Sequence, residues 1–276
     1  PSKALTKIEP ADDIYIRSLY ISGPGEIWLT TYDSGFYLFK DDRLTQFLFD
    51  KKHYLRSSHC IVEDSLGYFW ISTNKGLFQL KKNDLLAYAR SRSGGNIWYN
   101  HYLSQQGFNT NEFNGGCEPC AVRLPSGYVS FPSMDGLVWF KPEETEPEPP
   151  TSDIFIDKIE ADGQIFDSED ADLSFPFAPG HLRLDISIPY YGTNQEIMLE
   201  YSLVDDSSPT ADYNSLKWIP TGENDPAAIQ LFNVGPGNYT LLLKKVNGFG
   251  AGNYTYKKLH LSIPFPWYRT AWAYSI

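Results

Sequence analysis

The sequence is poor in cysteine, methionine and positive charge, and it has no long hydrophobic run. Three cysteines stand in 276 residues. An odd number without close spacing does not make a disulfide framework. Cys117-Glu118-Pro119-Cys120 has the outline of a redox CxxC motif, but its flanks, "FNGG" and "AVRLPSG", read as loop and strand. The helix N-terminus that would lower a thiol pKa is not expected there. Lys and Arg number 23 against 34 Asp and Glu, a net charge of −11. That balance argues against nucleic acid as a partner, because counterion release needs clustered cations. It also disfavours adhesion to an acidic membrane surface. No apolar run reaches the length of a membrane span. The chain opens Pro1-Ser2 with no charged n-region or apolar h-region. A processed or shortened product is expected from such a start, and compartment stays open.

The motifs of common catalytic chemistry are also missing. The five histidines, His53, His59, His101, His181 and His260, form no i, i+4 metal pair and no HExxH. There is no GxSxG elbow and no Walker loop. Gly248-Phe249-Gly250-Ala251-Gly252 is glycine-rich, but the following "NYTYKKLHL" reads as a strand, so the loop is expected to close a hairpin. Asp167, Asp170 and Asp172 lack the Gly and distal Glu of a calcium loop. Neither cofactor nor metal is expected, and no acid, base and nucleophile converge.

What is present is aromatic and turn-rich. Aromatics make up 16% of the chain, alongside 21 Gly and 19 Pro. Aromatic residues suit pleated, packed surfaces, so the balance leans to β structure. Three segments then share one frame: "YISGPGEIWLTTYDSGFYLF" from residue 20, "EDSLGYFWISTNKGLFQL" from 63 and "VRLPSGYVSFPSMDGLVWF" from 122. Each runs apolar strand, turn ending in Gly, aromatic strand, turn ending in Gly, apolar strand. The first glycines are Gly25, Gly67 and Gly127; the second are Gly35, Gly76 and Gly136. Trp28, Trp70 and Ser130 stand three residues after the first set. Repeats of about 40 residues with several strands each are a propeller signature. The central strands are apolar on both faces, as strands packed on two sides must be. Trp28 and Trp70 are therefore expected in the core between units. "DLLAYAR" is expected as the outer strand of the second unit. Three units are too few to close a ring, since closed propellers use roughly four to eight.

Between the second and third units lies an insertion, residues 91 to 116, rich in Asn, Gly and aromatics. Insertions of this kind are expected as surface loops. Its mixture of ring faces and amides suits carbohydrate, through C–H stacking and hydroxyl hydrogen bonds. The candidate ligand residues are Trp98, Tyr99, His101, Tyr102, Asn109, Asn111, Glu112 and Asn114. The run "KPEETEPEPPTSD", residues 141 to 153, reads as an acidic, stiff linker. Beyond it, about seven short strands in roughly 110 residues match an immunoglobulin- or fibronectin-like sandwich.

Four features in order carry a family resemblance. "SLGYFWISTNKGLFQL" resembles the two-component-regulator propeller repeat. "GFNTNEFNGG…PSGYVSF…MDGLVWFKPEE" resembles the last blade of those propellers. "LEYSLVDD…KWIPTGE…LFNVGPGNYTLLLKKVNGFG" is similar to the triple-tyrosine (Y_Y_Y) domain, with Tyr201 and Tyr239 fitting and Leu231 at the middle position. "IPFPWYRTAWAYSI" resembles the segment entering a membrane helix. The family is the membrane-bound hybrid two-component sensors of gut Bacteroidetes. The resemblance implies an all-β fragment: about three four-stranded blades of a partial β-propeller over 1–142, a linker at 143–152, a triple-tyrosine sandwich at 153–264 and a membrane-entry segment at 265–276. It implies a periplasmic sensor of glycan fragments at the inner membrane, acting as a homodimer, with the kinase chemistry in other domains. An oligosaccharide ligand, the remaining propeller blades and the membrane beyond Ile276 would be its partners. Two other readings compete: a propeller-containing glycan-active enzyme of lyase or sialidase type, and a secreted carbohydrate-binding scaffold. Neither needs an aromatic membrane-entry segment.

Overall fold

The computed structural model describes residues 14–47, 52–91, 98–104, 107–117, 119–145, 150–167, 172–190, 197–207, 212–222, 225, 227–247 and 253–265. The protein is largely all-β, built from sheets of three to five strands that, among the described residues, pair antiparallel with one exception. It divides into two compact units, the first running to Glu148 and the second beginning at Pro149.

In the first unit, β1 (Ile16–Gly23), β2 (Glu26–Thr31), β3 (Phe36–Lys40) and β4 (Arg43–Phe47) form one four-stranded sheet in chain order. β5 (Ser58–Glu63), β6 (Tyr68–Thr73), β7 (Gly76–Lys81) and β8 (Tyr99–Tyr102) form the second. The third holds β9 (Val122–Arg123), β10 (Val129–Ser133) and β11 (Gly136–Phe140). All six repeat glycines have positive φ, from 70° at Gly25 to 126° at Gly76, a region that costs glycine nothing.

Two side-chain devices recur with the glycines. In each β2–β3-type hairpin a hydroxyl donates to the carbonyl of the turn glycine: Thr31 to Gly35 at 2.7 Å, Thr73 to Gly76 at 3.1 Å and Ser133 to Gly136 at 3.1 Å. The same hydroxyls accept from the turn backbone N–H of Ser34, Lys75 and Asp135. The second device anchors the tryptophans. Trp28 donates its indole N–H to Ser22 Oγ at 3.0 Å, and Trp70 donates to Asp64 Oδ2 at 2.9 Å. In both cases the acceptor stands six residues before the indole. The third copy has Leu124 and Ser130 at these positions, so acceptor and indole are lost together.

The second sheet is packed on both faces. Phe69, Ile71, Phe78 and Leu80 join Trp28, Phe36, Leu38 and Phe47 of the first sheet in one core. Cys60, Val62, Trp70 and Leu77 join Val129 and Phe131 of the third sheet in another. The outward faces of the flanking sheets stay apolar and exposed: Leu19 and Ile21 on the first, Leu137 and Trp139 on the third.

Several expectations need correction. "DLLAYAR" is not an outer strand; it lies in the helix α1 (Lys82–Ser91). Leu85, Leu86, Tyr88 and Ala89 recur at helical spacing and pack against the first core, while Asp84 and Arg90 complement the helix dipole. The outer strand is β8, drawn from the insertion. Among the described residues the third sheet has three strands, not four: Pro142 follows β11, opens a short 3-10 turn and cannot donate to a ladder. Finally, Cys60 and Cys120 form a disulfide between β5 and the approach to β9, which leaves Cys117 free and exposed. Sequence distance misled here, since neighbouring sheets bring together residues 60 apart.

In the second unit, β12 (Phe155–Ala161), β13 (Gln164–Phe166), β15 (His181–Ser187) and β18 (Ala228–Phe232) make a four-stranded sheet in the order 13-12-15-18. β14 (Asp172–Ser174), β16 (Leu199–Asp205), β17 (Ile219–Pro220), β19 (Gly237–Val246) and β20 (Tyr254–Ile263) make a five-stranded one in the order 14-20-19-16-17. β14 pairs parallel to β20. Both sheets feed one core, with Ile159, Leu184 and Ile229 from the first and Leu241, Leu243 and Leu261 from the second. Tyr201 and Tyr239 pack against it, and Leu231 lies within it. β13 and β14 are too short to show in the sequence pattern, and the strand expected at "LKWIPT" shrinks to two residues.

Lys245 follows the inward parity of Leu241 and Leu243, yet it is a lysine with no solvent exposure. Its ammonium donates to the carbonyls of Pro150 (2.6 Å) and Ser152, tying the start of the unit to β19. Burial pushes its pKa down, partly offset by the charge of Asp153. The Gly248–Gly252 loop, Asp170 and residues 266–276, including Trp267, Tyr268, Trp272 and Tyr274, lie outside the described residues.

Candidate functional site

The insertion splits into a strand and a loop with different fates. β8 pairs with β7, so Tyr99 opposes Leu80 and His101 opposes Phe78. His101 is buried, stacks on Phe78 at 4.2 Å and places Nε2 2.6 Å from the Lys75 carbonyl oxygen. Tyr99 meets Phe78 edge-on, and Tyr102 packs on Trp70 at 5.2 Å while its hydroxyl donates to Gln79 at 3.0 Å. Trp98 is buried just before the strand. These four candidates complete the sheet and its packing; they do not form an open platform.

The loop from 107 to 117 is braced by its own amides. Asn111 Oδ1 accepts from the Ser104 backbone at 2.5 Å, and Asn114 Nδ2 donates to the Ser133 carbonyl at 3.0 Å. Backbone bonds from Phe113 to Thr73, from Asn114 to Pro132 and from Met134 to Glu112 lay the loop against the ends of β6 and β10. The side chains of Asn109 and Glu112 remain exposed. Of the eight candidates, these two face solvent, and Asn111 and Asn114 hold the loop that presents them.

The loop brings a second constellation into place. A Cβ at Gly115 would lie 2.3 Å from His59 Nδ1 and 2.4 Å from Arg17 Nη1, so only glycine lets the backbone pass there. Arg17 contacts His59 Nδ1 through Nη1, and His59 Nε2 lies 2.7 Å from Asn74 Oδ1. A guanidinium can only donate, so Nδ1 accepts and Nε2 carries the proton. Burial pushes the His59 pKa down to about 4; the Asn74 bond works against this and the Arg17 charge with it. The imidazole is therefore neutral near pH 7. Arg17 also lies 4.5 Å over the ring of Tyr32, which is 59% exposed.

Arg17, Tyr32, His59 and Asn74 were missed by the reading of the insertion because they belong to β1, to the two hairpin turns and to β5. One signal was available. His59 interrupts the apolar run of β5, and a buried imidazole needs partners for both nitrogens. The rim offers the Tyr32 ring face, the Arg17 cation and the Asn74 amide, and the loop that passes it at Gly115 also carries the exposed Glu112 and Asn109. That set can hold a polar, hydroxyl-bearing ligand. Among the described residues, no group of three His, Cys, Asp or Glu side chains could hold a metal ion, and no helix is long and apolar enough to cross a membrane.

A second polar network lies beyond the opposite turns, those of Gly25 and Gly67. Burial would raise the Glu26 carboxyl, but hydrogen bonds from Lys40, Ser22 and Lys82 outweigh it and bring the pKa down to about 2. Lys82 also pairs with Glu63 at 3.0 Å. Glu143 Oε1 accepts from the backbone and hydroxyl of Ser65 and from Arg123, joining the second and third sheets. These charges are mutually paired and read as structural.

The architecture has a counterpart among solved structures. The extracellular domain of BT3049 from B. thetaiotaomicron, described as a hybrid two-component system, matches 91% of this chain with a TM-score of 0.55 at 19% identity. The extracellular domain of BT4673 from the same organism matches 91% with a TM-score of 0.35 at 14% identity, and a streptogramin B lyase matches 92% with a TM-score of 0.33 at 14% identity. The chain spans 32% of the BT3049 domain, 30% of the BT4673 domain and 70% of the lyase. No family model and no curated protein sequence matches the chain. The likeness to BT3049 is one of fold.

Proposed function

We propose that the chain is part of the extracytoplasmic sensor region of a two-component system, recognising a glycan-derived ligand and relaying it across a membrane. The observation that carries this reading is the fold likeness to the BT3049 extracellular domain over nearly the whole chain. On this reading the three sheets of the first unit are successive propeller blades and the second unit is the triple-tyrosine sandwich. Further blades cover the exposed Leu19, Ile21, Leu137 and Trp139, since such faces favour burial at roughly 25 cal/mol per Å² of apolar area.

The ligand then meets the Arg17–Tyr32 rim and the loop carrying Glu112. Signal passes through the sandwich to the aromatic segment after residue 264, where Trp and Tyr suit a membrane interface. Two such chains act as a dimer, because relative motion of two membrane helices transmits what one helix cannot. In the organism carrying the gene, deleting the segment that encodes residues 14–265 should abolish induction of one polysaccharide-utilisation locus. Induction unchanged on every polysaccharide tested would refute the proposal. Within the intact protein, Arg17→Ala and Tyr32→Ala should each weaken the response to that glycan while protein level is kept.

A further inference from the structure

We propose that the outward face of the five-stranded sheet in the second unit is a separate binding face for a neutral saccharide. The strand parity builds it. Leu173, Leu259, Leu261, Leu241 and Leu243 point into the core, so their neighbours point out. The register then aligns two polar rows. Asp172, His260 and Thr240 stand side by side across β14, β20 and β19, and Ser174, Ser262 and Asn238 form the next row. Asp206 closes the second row, its backbone N–H bonded to the Asn238 carbonyl at 3.0 Å. These strands line a cleft of about 380 Å³.

The polar groups are held in fixed roles. Thr240 donates its one hydroxyl proton to Asp206 Oδ1 at 2.6 Å. Its 3.0 Å contact with His260 Nδ1 therefore requires the proton on the ring, which leaves Nε2 as the second polar atom of the imidazole. Ser262 donates to Asn238 Oδ1 at 2.9 Å, which orients the amide and leaves its NH₂ as a donor. Carboxylates, imidazole and amide thus alternate along exposed strands. A sugar hydroxyl both donates and accepts, so it suits this alternation. An anion would meet Asp172 and Asp206, and no metal-binding group of three is found among the described residues.

The same face carries aromatic rings further along. Tyr256 lies four residues before His260 on β20, about 13 Å away at the strand rise. It is 38% exposed and lies 4.8 Å from the half-buried Tyr213 ring, tilted 34° to it, with Lys258 over the Tyr213 ring. A polar cleft followed along the same strand by the partly exposed Tyr256 ring fits an extended oligosaccharide better than a monosaccharide.

The test uses the whole chain and four probes: cellohexaose, maltohexaose, xylohexaose and mannohexaose. At least one should shift the amide resonances of Asn238 and His260 and give a calorimetric Kd of millimolar or better. His260→Ala and Asn238→Ala should each weaken that binding about tenfold, the scale of one hydrogen bond. Both residues are exposed, so their unfolding midpoints should match wild type; if either falls, Asp172→Asn on the edge strand replaces it. Arg17→Ala should leave the shifts at Asn238 and His260 unchanged, which separates this face from the rim of the first unit. Silence at Asn238 and His260 with all four probes, or loss of those shifts in Arg17→Ala, overturns the inference.

Discussion

Asp64 Oδ2 accepts the indole N–H of Trp70 at 2.9 Å, and Asp64 Oδ1 accepts the backbone N–H groups of Leu66 and Tyr68, both at 2.9 Å. One buried carboxylate thus satisfies a turn and a core indole together. Its removal leaves three donors without a partner, two of them in or beside the core. Asp64→Ala should cost about 3 kcal/mol, the scale of lost buried hydrogen bonds to a charged group. Ser22→Ala, which removes one acceptor from Trp28, should cost about 1 kcal/mol. Urea unfolding of the two variants checks the order; equal losses would contradict the account.

The Cys60–Cys120 disulfide closes a sequence separation of 60. In the chain-entropy model a loop of that size contributes about 4 kcal/mol through the unfolded state. Thiol titration of the native, unreduced protein should find only Cys117 reactive. The double variant Cys60→Ala, Cys120→Ala should lower the urea midpoint clearly, whereas Cys117→Ala should not. Three reactive thiols in the unreduced protein would refute the pairing.

His59 has a folded pKa of about 4, below its unfolded value of 6.5. The unfolded chain therefore binds more protons between these values, and stability falls as pH drops through that window. The stabilisation is fully present above about pH 6.5 and lost near pH 4, with about 3 kcal/mol at stake. His59→Gln should flatten the dependence of unfolding free energy on pH between 6.5 and 4. An unchanged slope would show that His59 is not the group responsible.

Gly115→Ala should be costly although its backbone conformation is unexceptional, because the new methyl would meet His59 and Arg17. A loss of about 1–3 kcal/mol is expected for such overpacking. The His59 ring resonances should move at the same time. Gly116→Ala is the control, since nothing lies within 4 Å of a Cβ there. Equal effects at the two glycines would count against the close approach.

Local chemistry was enough to read the repeat. Six glycines, nine residues apart in two copies and ten in the first, fall in turns with positive φ, and the aromatic central strands of the first two sheets are buried on both faces. A turn requirement acts on single residues, and two-sided burial marks a strand along its own length, so both show in one dimension. The strands of the second unit were legible instead from alternation along each strand, one face in and one face out, as in "HLRLDIS" and "YKKLHLSIP". α1 was also within reach, since Leu85, Leu86, Tyr88 and Ala89 keep helical spacing. The strand expectation of the repeat frame outweighed that pattern.

The candidate site was only partly legible. The insertion was a sound place to look for exposed polar groups, and Glu112 and Asn109 are such groups. Trp98, Tyr99, His101 and Tyr102 went instead to the free edge of β7, where an unpaired row of backbone groups favours another strand. Arg17, His59 and Asn74 meet across residues 42 and 15 apart in the chain. The Asp172, His260 and Asn238 rows exist only because β14, β20 and β19 pair in a particular register. The sequence alone determined where the repeat turns and which strands run apolar on both faces or alternate. Tertiary packing decided which cysteines bond, which aromatics are hidden and which polar groups converge, because those outcomes depend on neighbours brought together from distant parts of the chain.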